Sequence, residues 1–110
     1  MKIIKIADIV VKENRQRTEF PPEKMQELRD SIEFVEGQMS KQLLHPVVLR
    51  SEGNSLVLVA GERRLRVLQE IFELGGSFLC NGILFEAARG EIPYTDVGEL
   101  SELEYVELEL

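Results

Sequence analysis

The order of apolar residues along this chain predicts an α+β (α/β) domain, a small mixed β-sheet flanked by helices. Three observations carry that prediction. Two stretches, 22–36 and 62–74, hold apolar residues at spacings of three and four, the period of a helix with one buried face. Around them run short segments rich in Val, Ile and Leu, bounded by Gly, Asn and Pro, as strands are. Two pairs of these segments are joined by turn signals, "SEGN" and Asn81-Gly82, the second being the strongest hairpin signal in the chain.

The elements follow in order. "KIIKIADIVV" reads as one or two short strands, and "KENRQRTEF" is polar and irregular, a loop. A helix near 22–36 opens with Pro21 and Pro22 about its first turn, places Glu23 early and stops at Gly37. Its stripe is Met25, Leu28, Ile32 and Val35. "QMSKQ" (38–42) is a loop, and "LLHPVVLR" and "SLVLVAG" form a hairpin across "SEGN". After Gly61 a second helix, 62–74, carries Leu65, Leu68, Ile71 or Phe72, and Leu74 until Gly75-Gly76 ends it. "SFLCNGILFEAARG" is the Asn-Gly hairpin and "EIPYTDV" a short strand. A third helix is predicted near 101–110, with Ser101 as N-cap and Glu104 as its capping-box partner. Its apolar positions Leu103, Val106 and Leu110 run to the last residue with no glycine, proline or polar tail, so the chain reads as a fragment of a longer protein. The glutamates of that helix read as its solvated face.

The 110 residues suffice for one compact domain with a single core. No apolar run approaches a membrane span, and the N-terminus lacks the apolar stretch and cleavage site of a secretory signal. Cys80 is the one cysteine, which rules out an internal disulfide and fits a reducing cytoplasm. The net charge of −7 is unevenly spread. Residues 1–66 carry twelve Lys and Arg against ten acids, a balance of +2; residues 67–110 carry one arginine against ten acids, a balance of −9. A domain that grips duplex DNA by its phosphates presents net positive charge. DNA contact is therefore expected to be indirect, or to come from segments outside these residues.

One stretch departs from routine patterning. In "LVLVAGERRLRVLQEI" a strand breaks at Gly61 and Arg63, Arg64 and Arg66 follow at the mouth of a helix, where the macrodipole is already positive. Gly61 permits a tight turn, the first-turn N–H groups are free of helical partners, and guanidiniums beside them offer bidentate bonds to phosphate. Glu62 offsets part of the repulsion and could orient an arginine or bind a metal. On periodicity alone, a polyanion site and a plain solvated helix face both remain open. There is no Walker-type loop and no dinucleotide fingerprint.

Taken with their neighbours, these residues resemble the N-terminal domain of the ParB family of chromosome- and plasmid-partition proteins, whose fold is shared with sulfiredoxin. "NRQRTEF", "MQELRDSI", "LLHPVVLR" and "LVAGERRLRV" carry the resemblance, the last matching the family's "GERR.R" motif, and "IPYTDVGELSELEYVELEL" resembles the approach to its "ENxxR" motif. The resemblance implies a single ParB-like domain over 1–110, followed outside it by "ENxxR" and a helix-turn-helix DNA-binding domain. It implies CTP with Mg²⁺ as cofactor, a homodimeric clamp on DNA, a partition ATPase as partner, and slow CTP hydrolysis once the missing segment completes the site. The implied phosphate ligands or their supports are Gly61, Glu62, Arg63, Arg64 and Arg66, with Gln16 and Arg17 lining the site from the preceding loop. The 38–42 insertion departs from the family's short join and implies a different pocket wall there, and the Asn-Gly hairpin, longer than the common form, points to a phage- or plasmid-type member. His45 stands where the family has Gln and reads as structural.

The same residues bear on other functional classes. A sulfiredoxin-like enzyme needs a reactive cysteine at the helix start, where this chain has Glu62–Arg64, and Cys80 reads as a packing residue. A ParB-like nuclease or nucleotide-dependent kinase needs an acidic pair holding metal; Glu62 is the acid within the motif, and Glu13 and Glu19 flank Gln16 and Arg17. A protein-binding module would use the acidic second half.

Overall fold

The computed structural model of the chain describes residues 1–12 and 20–97. Their elements are β1 (Lys2–Lys5), a 3-10 turn (Ile6–Asp8), β2 (Ile9–Val10), α1 (Pro22–Ile32), β3 (Val47–Glu52), β4 (Ser55–Ala60), α2 (Glu62–Glu73), β5 (Ser77–Cys80), β6 (Ile83–Glu86) and β7 (Glu91–Asp96). The predicted mixed sheet with helices is present. The helix predicted near 101–110, with Ser101 and Glu104, lies outside the described residues.

Five strands form one sheet in the order β1-β7-β3-β4-β2, and β5 and β6 pair as a separate hairpin. β1 and β2 are joined by three residues yet lie at opposite edges. Four strand-to-strand steps of ~4.8 Å would set the edges of a flat sheet ~19 Å apart, whereas a few residues of chain reach only ~10–13 Å. The sheet therefore curls until its edges approach. The Ile6 N–H bonds the Gly90 carbonyl at 2.8 Å and pins that corner.

β3 lies at the centre, antiparallel to β4 and parallel to β7. Its residues Val47, Val48 and Leu49 are all buried, as expected of a strand covered on both faces. α2 turns Leu65, Val67, Leu68 and Ile71 into the core, each a burial worth ~1.5–3 kcal/mol. Phe78 of β5 is fully buried and stacks against Phe72 and Phe85 at centroid distances of 5.7 and 5.2 Å. Cys80 is buried in the same cluster, the packing role its neighbours implied.

Two details depart from the periodic reading. The first helix ends at Ile32, four residues before 36. Glu33 turns extended, pairs with Phe78 as an isolated bridge, and the Phe34 N–H bonds the Ser77 carbonyl at 2.9 Å. The edge of β5 thus captures the backbone that helical periodicity would have continued, and Val35 is left on the surface. Likewise Leu74 caps α2 and is exposed, so it is no part of the buried stripe. Arg29 closes this corner: it bonds Glu33 of its own segment at 3.1 Å and Glu70 of α2 at 2.7 Å. The hydrogen bond to Glu33 is the main cause of a raised Arg29 pKa.

Candidate functional site

The strand-to-helix turn at Gly61 is built by three local devices. β4 carries one extra residue against β3, since Val48 faces Ala60 while Leu49 faces Leu58; Val59 is the bulge that re-aims the strand's end. Gly61 then takes φ +96°, ψ 29° as N-cap of α2, a left-handed conformation in place of the extended one usual at that position. A Cβ there would lie 3.2 Å from the Val47 Cα and 3.3 Å from its Cγ1, so the helix start leans directly on the backbone of β3. Gly61 itself has no side chain with which to cap the helix. The Leu65 N–H is the first to bond within the helix, to the Gly61 carbonyl at 2.9 Å, so the amides of 62–64 lack helical partners.

The three arginines do different things. Arg64 turns inward. Its Nη1 donates to the His45 carbonyl at 3.1 Å and, in a longer shared contact, to the Pro46 carbonyl at 3.4 Å. Burial pulls its guanidinium below its ordinary pKa, although it stays charged. It thereby ties the helix start to the turn that leads into β3, and the rest of its guanidinium makes no hydrogen bond to another described residue. His45 contributes that carbonyl while its side chain is exposed, in keeping with a structural reading.

Arg63 and Arg66 turn outward to a common neighbour, the ring of Phe20. Their Cζ atoms lie 5.8 and 4.6 Å from its centroid, within cation–π range. Arg66 also pairs with Glu62, Nη2 to Oε2 3.4 Å, and the Glu62 side chain is only 10% exposed against 50% for Arg66. The carboxylate thus stands within ion-pair distance of an arginine. Among the described residues no group of three or more His, Cys, Asp or Glu side chains comes together as a metal cage.

Gly61, Glu62, Arg63, Arg64 and Arg66 are accordingly brought to one turn. Gln16 and Arg17, with Glu13 and Glu19, lie outside the described residues. Phe20 went unmarked in the sequence, because no spacing rule links it to a helix forty residues later. Arg64's inward turn did leave a signal: it stands three, four and seven residues before Val67, Leu68 and Ile71, on the buried face.

Comparison with known proteins gives two kinds of match. Among solved structures, the chain is similar to a C-terminally truncated chromosome-partitioning protein ParB from Caulobacter crescentus complexed with CTP-gamma-S, at 22% identity and a TM-score of 0.55, over 96% of this chain and 48% of that one. It is also similar to the truncated ParB of the same organism complexed to the centromeric parS site, at 21% identity and a TM-score of 0.54, over 98% of this chain and 44% of that one. At these identities the likeness shows the fold, and this chain spans less than half the length of either structure. No curated protein matches it. The family model of the ParB N-terminal domain matches residues 1–73, a span that includes α1, the β3–β4 hairpin and the whole Gly61–Arg66 turn. The chain therefore belongs to the ParB N-terminal domain family.

Proposed function

We propose that this domain binds a nucleoside triphosphate, CTP, at the Gly61–Arg66 turn, as part of a DNA-partition or other DNA-binding protein. The observation that carries the reading is the turn itself: a glycine-capped helix start whose first-turn amides have no partners within the helix, with Arg63 and Arg66 beside the Phe20 ring and Arg64 bracing it from behind. Free amides, helix dipole and forked guanidiniums are the means by which proteins hold phosphate chains. Family membership supports the nucleotide, and CTP is chosen from the analogue in the Caulobacter ParB complex.

The division of labour follows from the geometry. Gly61 lets the backbone approach the phosphates, and Arg63 and Arg66 neutralise them. Arg64 is the support, with Gln16 and Arg17 as second-rank contacts from the preceding loop. Glu62 pairs with Arg66, and Mg²⁺ belongs in this proposal as a companion of the phosphates, the way that ion commonly binds. Hydrolysis, homodimerisation, contact with DNA and docking of a partition ATPase belong in this proposal to the full-length protein. Segments beyond this chain, an "ENxxR" motif and a helix-turn-helix domain, would complete it. No helix among the described residues is long and apolar enough to cross a membrane.

Calorimetric titration of the full-length protein with CTP, ATP and GTP, each with Mg²⁺, tests the reading. CTP binding that is lost when Arg63→Ala and Arg66→Ala are combined is the expected result. ATP binding without CTP would favour the ParB-like nuclease or nucleotide-dependent kinase branch, and no binding at all would return Arg63 and Arg66 to a solvated face or a phosphate-backbone contact.

A further inference from the structure

Arg63 and Arg66 are three residues apart on α2 and carry like charges, which repel at that spacing. Yet both stand against one aromatic ring. Phe20 belongs to neither helix; it is half-buried and directly precedes Pro21, the N-cap of α1. Its ring attracts the Arg66 guanidinium at 4.6 Å and that of Arg63 at 5.8 Å. Arg66 is restrained a second time by Glu62. The ion pair with Glu62 runs through Arg66 Nη2, so a guanidinium held between this ring and this carboxylate keeps other donors of its fork for a ligand.

Resting on the nucleotide reading above, we propose that Phe20 is a positioning residue of the anion site: its ring gathers Arg63 and Arg66 side by side before any phosphate arrives. Ordering two long, rotamer-rich side chains is a recurrent cost of binding, and preorganisation removes it. The ring need not touch the ligand. A leucine would fill similar space without the quadrupole that draws in the two cations, whereas a tyrosine would keep it.

The test compares the full-length protein with its Phe20→Leu and Phe20→Tyr variants in two readouts. The first is the side-chain Nε–H resonances of Arg63 and Arg66, which a ring face displaces by its ring current and which need no ligand. The second is affinity for CTP and for inorganic tripolyphosphate at fixed Mg²⁺ and salt. The expected result is displaced resonances in the wild type and Phe20→Tyr but not in Phe20→Leu. Phe20→Leu should weaken both ligands by one common factor of about five to thirty, as two exposed cation–π contacts imply, and Phe20→Tyr should stay within about twofold. Wild-type affinity in Phe20→Leu would overturn the positioning role and leave the nucleotide reading standing. Equal losses in Phe20→Leu and Phe20→Tyr would overturn it as well, since shape rather than the ring face would then matter. A wild-type protein that binds neither ligand would overturn both this inference and the nucleotide reading.

Discussion

Replacing Gly61 with alanine should be unusually costly, and the structure allows the cost to be divided. At φ +96° an L-residue pays the left-handed penalty of ~1–2 kcal/mol. The new Cβ would also sit 3.2 Å from the Val47 Cα, a backbone atom in the buried first half of the central strand that has little freedom to move. Overpacking of that kind adds ~1–3 kcal/mol. Gly53 supplies the control, since it too has a positive φ, +61°, but nothing within 4 Å of its missing Cβ. The gain of ~0.4–1 kcal/mol that alanine brings through the unfolded state is common to both sites and cancels. Gly61→Ala should thus lie ~1–3 kcal/mol below Gly53→Ala in urea unfolding, with ~4–8 °C of Tm for each kcal/mol in a domain of this size. The Cβ also comes within 3.5 Å of Arg64 Nη1, so relaxation would disturb the brace to His45 and Pro46 and weaken anion binding with it. Equal costs at the two glycines would refute the close approach of α2 to β3 on which the site is built.

Arg64→Met leaves the His45 and Pro46 carbonyls without their charged donor and should destabilise by ~1–3 kcal/mol, while Arg63→Ala stays within ~0.5 kcal/mol; urea midpoints distinguish an inward from an outward arginine. Arg29→Met removes the link between Glu33 and Glu70 and should cost ~1–2 kcal/mol, less at high salt because Glu70 is half exposed. Burial pushes the Cys80 thiol up, so the folded chain keeps its proton where the unfolded chain releases it. Stability should therefore fall as pH rises past the ordinary thiol pKa of about 8.5, and Cys80→Ala, compared by denaturation at neutral and alkaline pH, should lack that extra fall.

What the sequence revealed and what it hid divide along the range of the interactions. Asn81-Gly82 and "SEGN" set their hairpins through local backbone preference, and Gly61 marked its break for the same reason. The end of α1 was hidden because Glu33 leaves the helix to pair with Phe78, a partner forty-five residues away. The sheet order was hidden likewise: nothing local says that β1 and β2, three residues apart, occupy opposite edges. In the site, residue type made Arg63, Arg64 and Arg66 equivalent, and the helical spacing of Arg64 from Val67, Leu68 and Ile71 was the one local sign of a difference. Their separation into two outward cations and one inward brace depends on the turn before β3 and on Phe20, which only the tertiary fold brings near.

The proposed meeting point of this domain and its nucleotide is the start of α2. Backbone amide NMR of the full-length protein during titration with CTP and Mg²⁺ tests it most directly. The predicted result is that the largest shifts fall on the amides of Gly61, Glu62, Arg63 and Arg64 and vanish in Gly61→Ala. Saturable binding with those amides unmoved, and the shifts clustered elsewhere, would contradict the account.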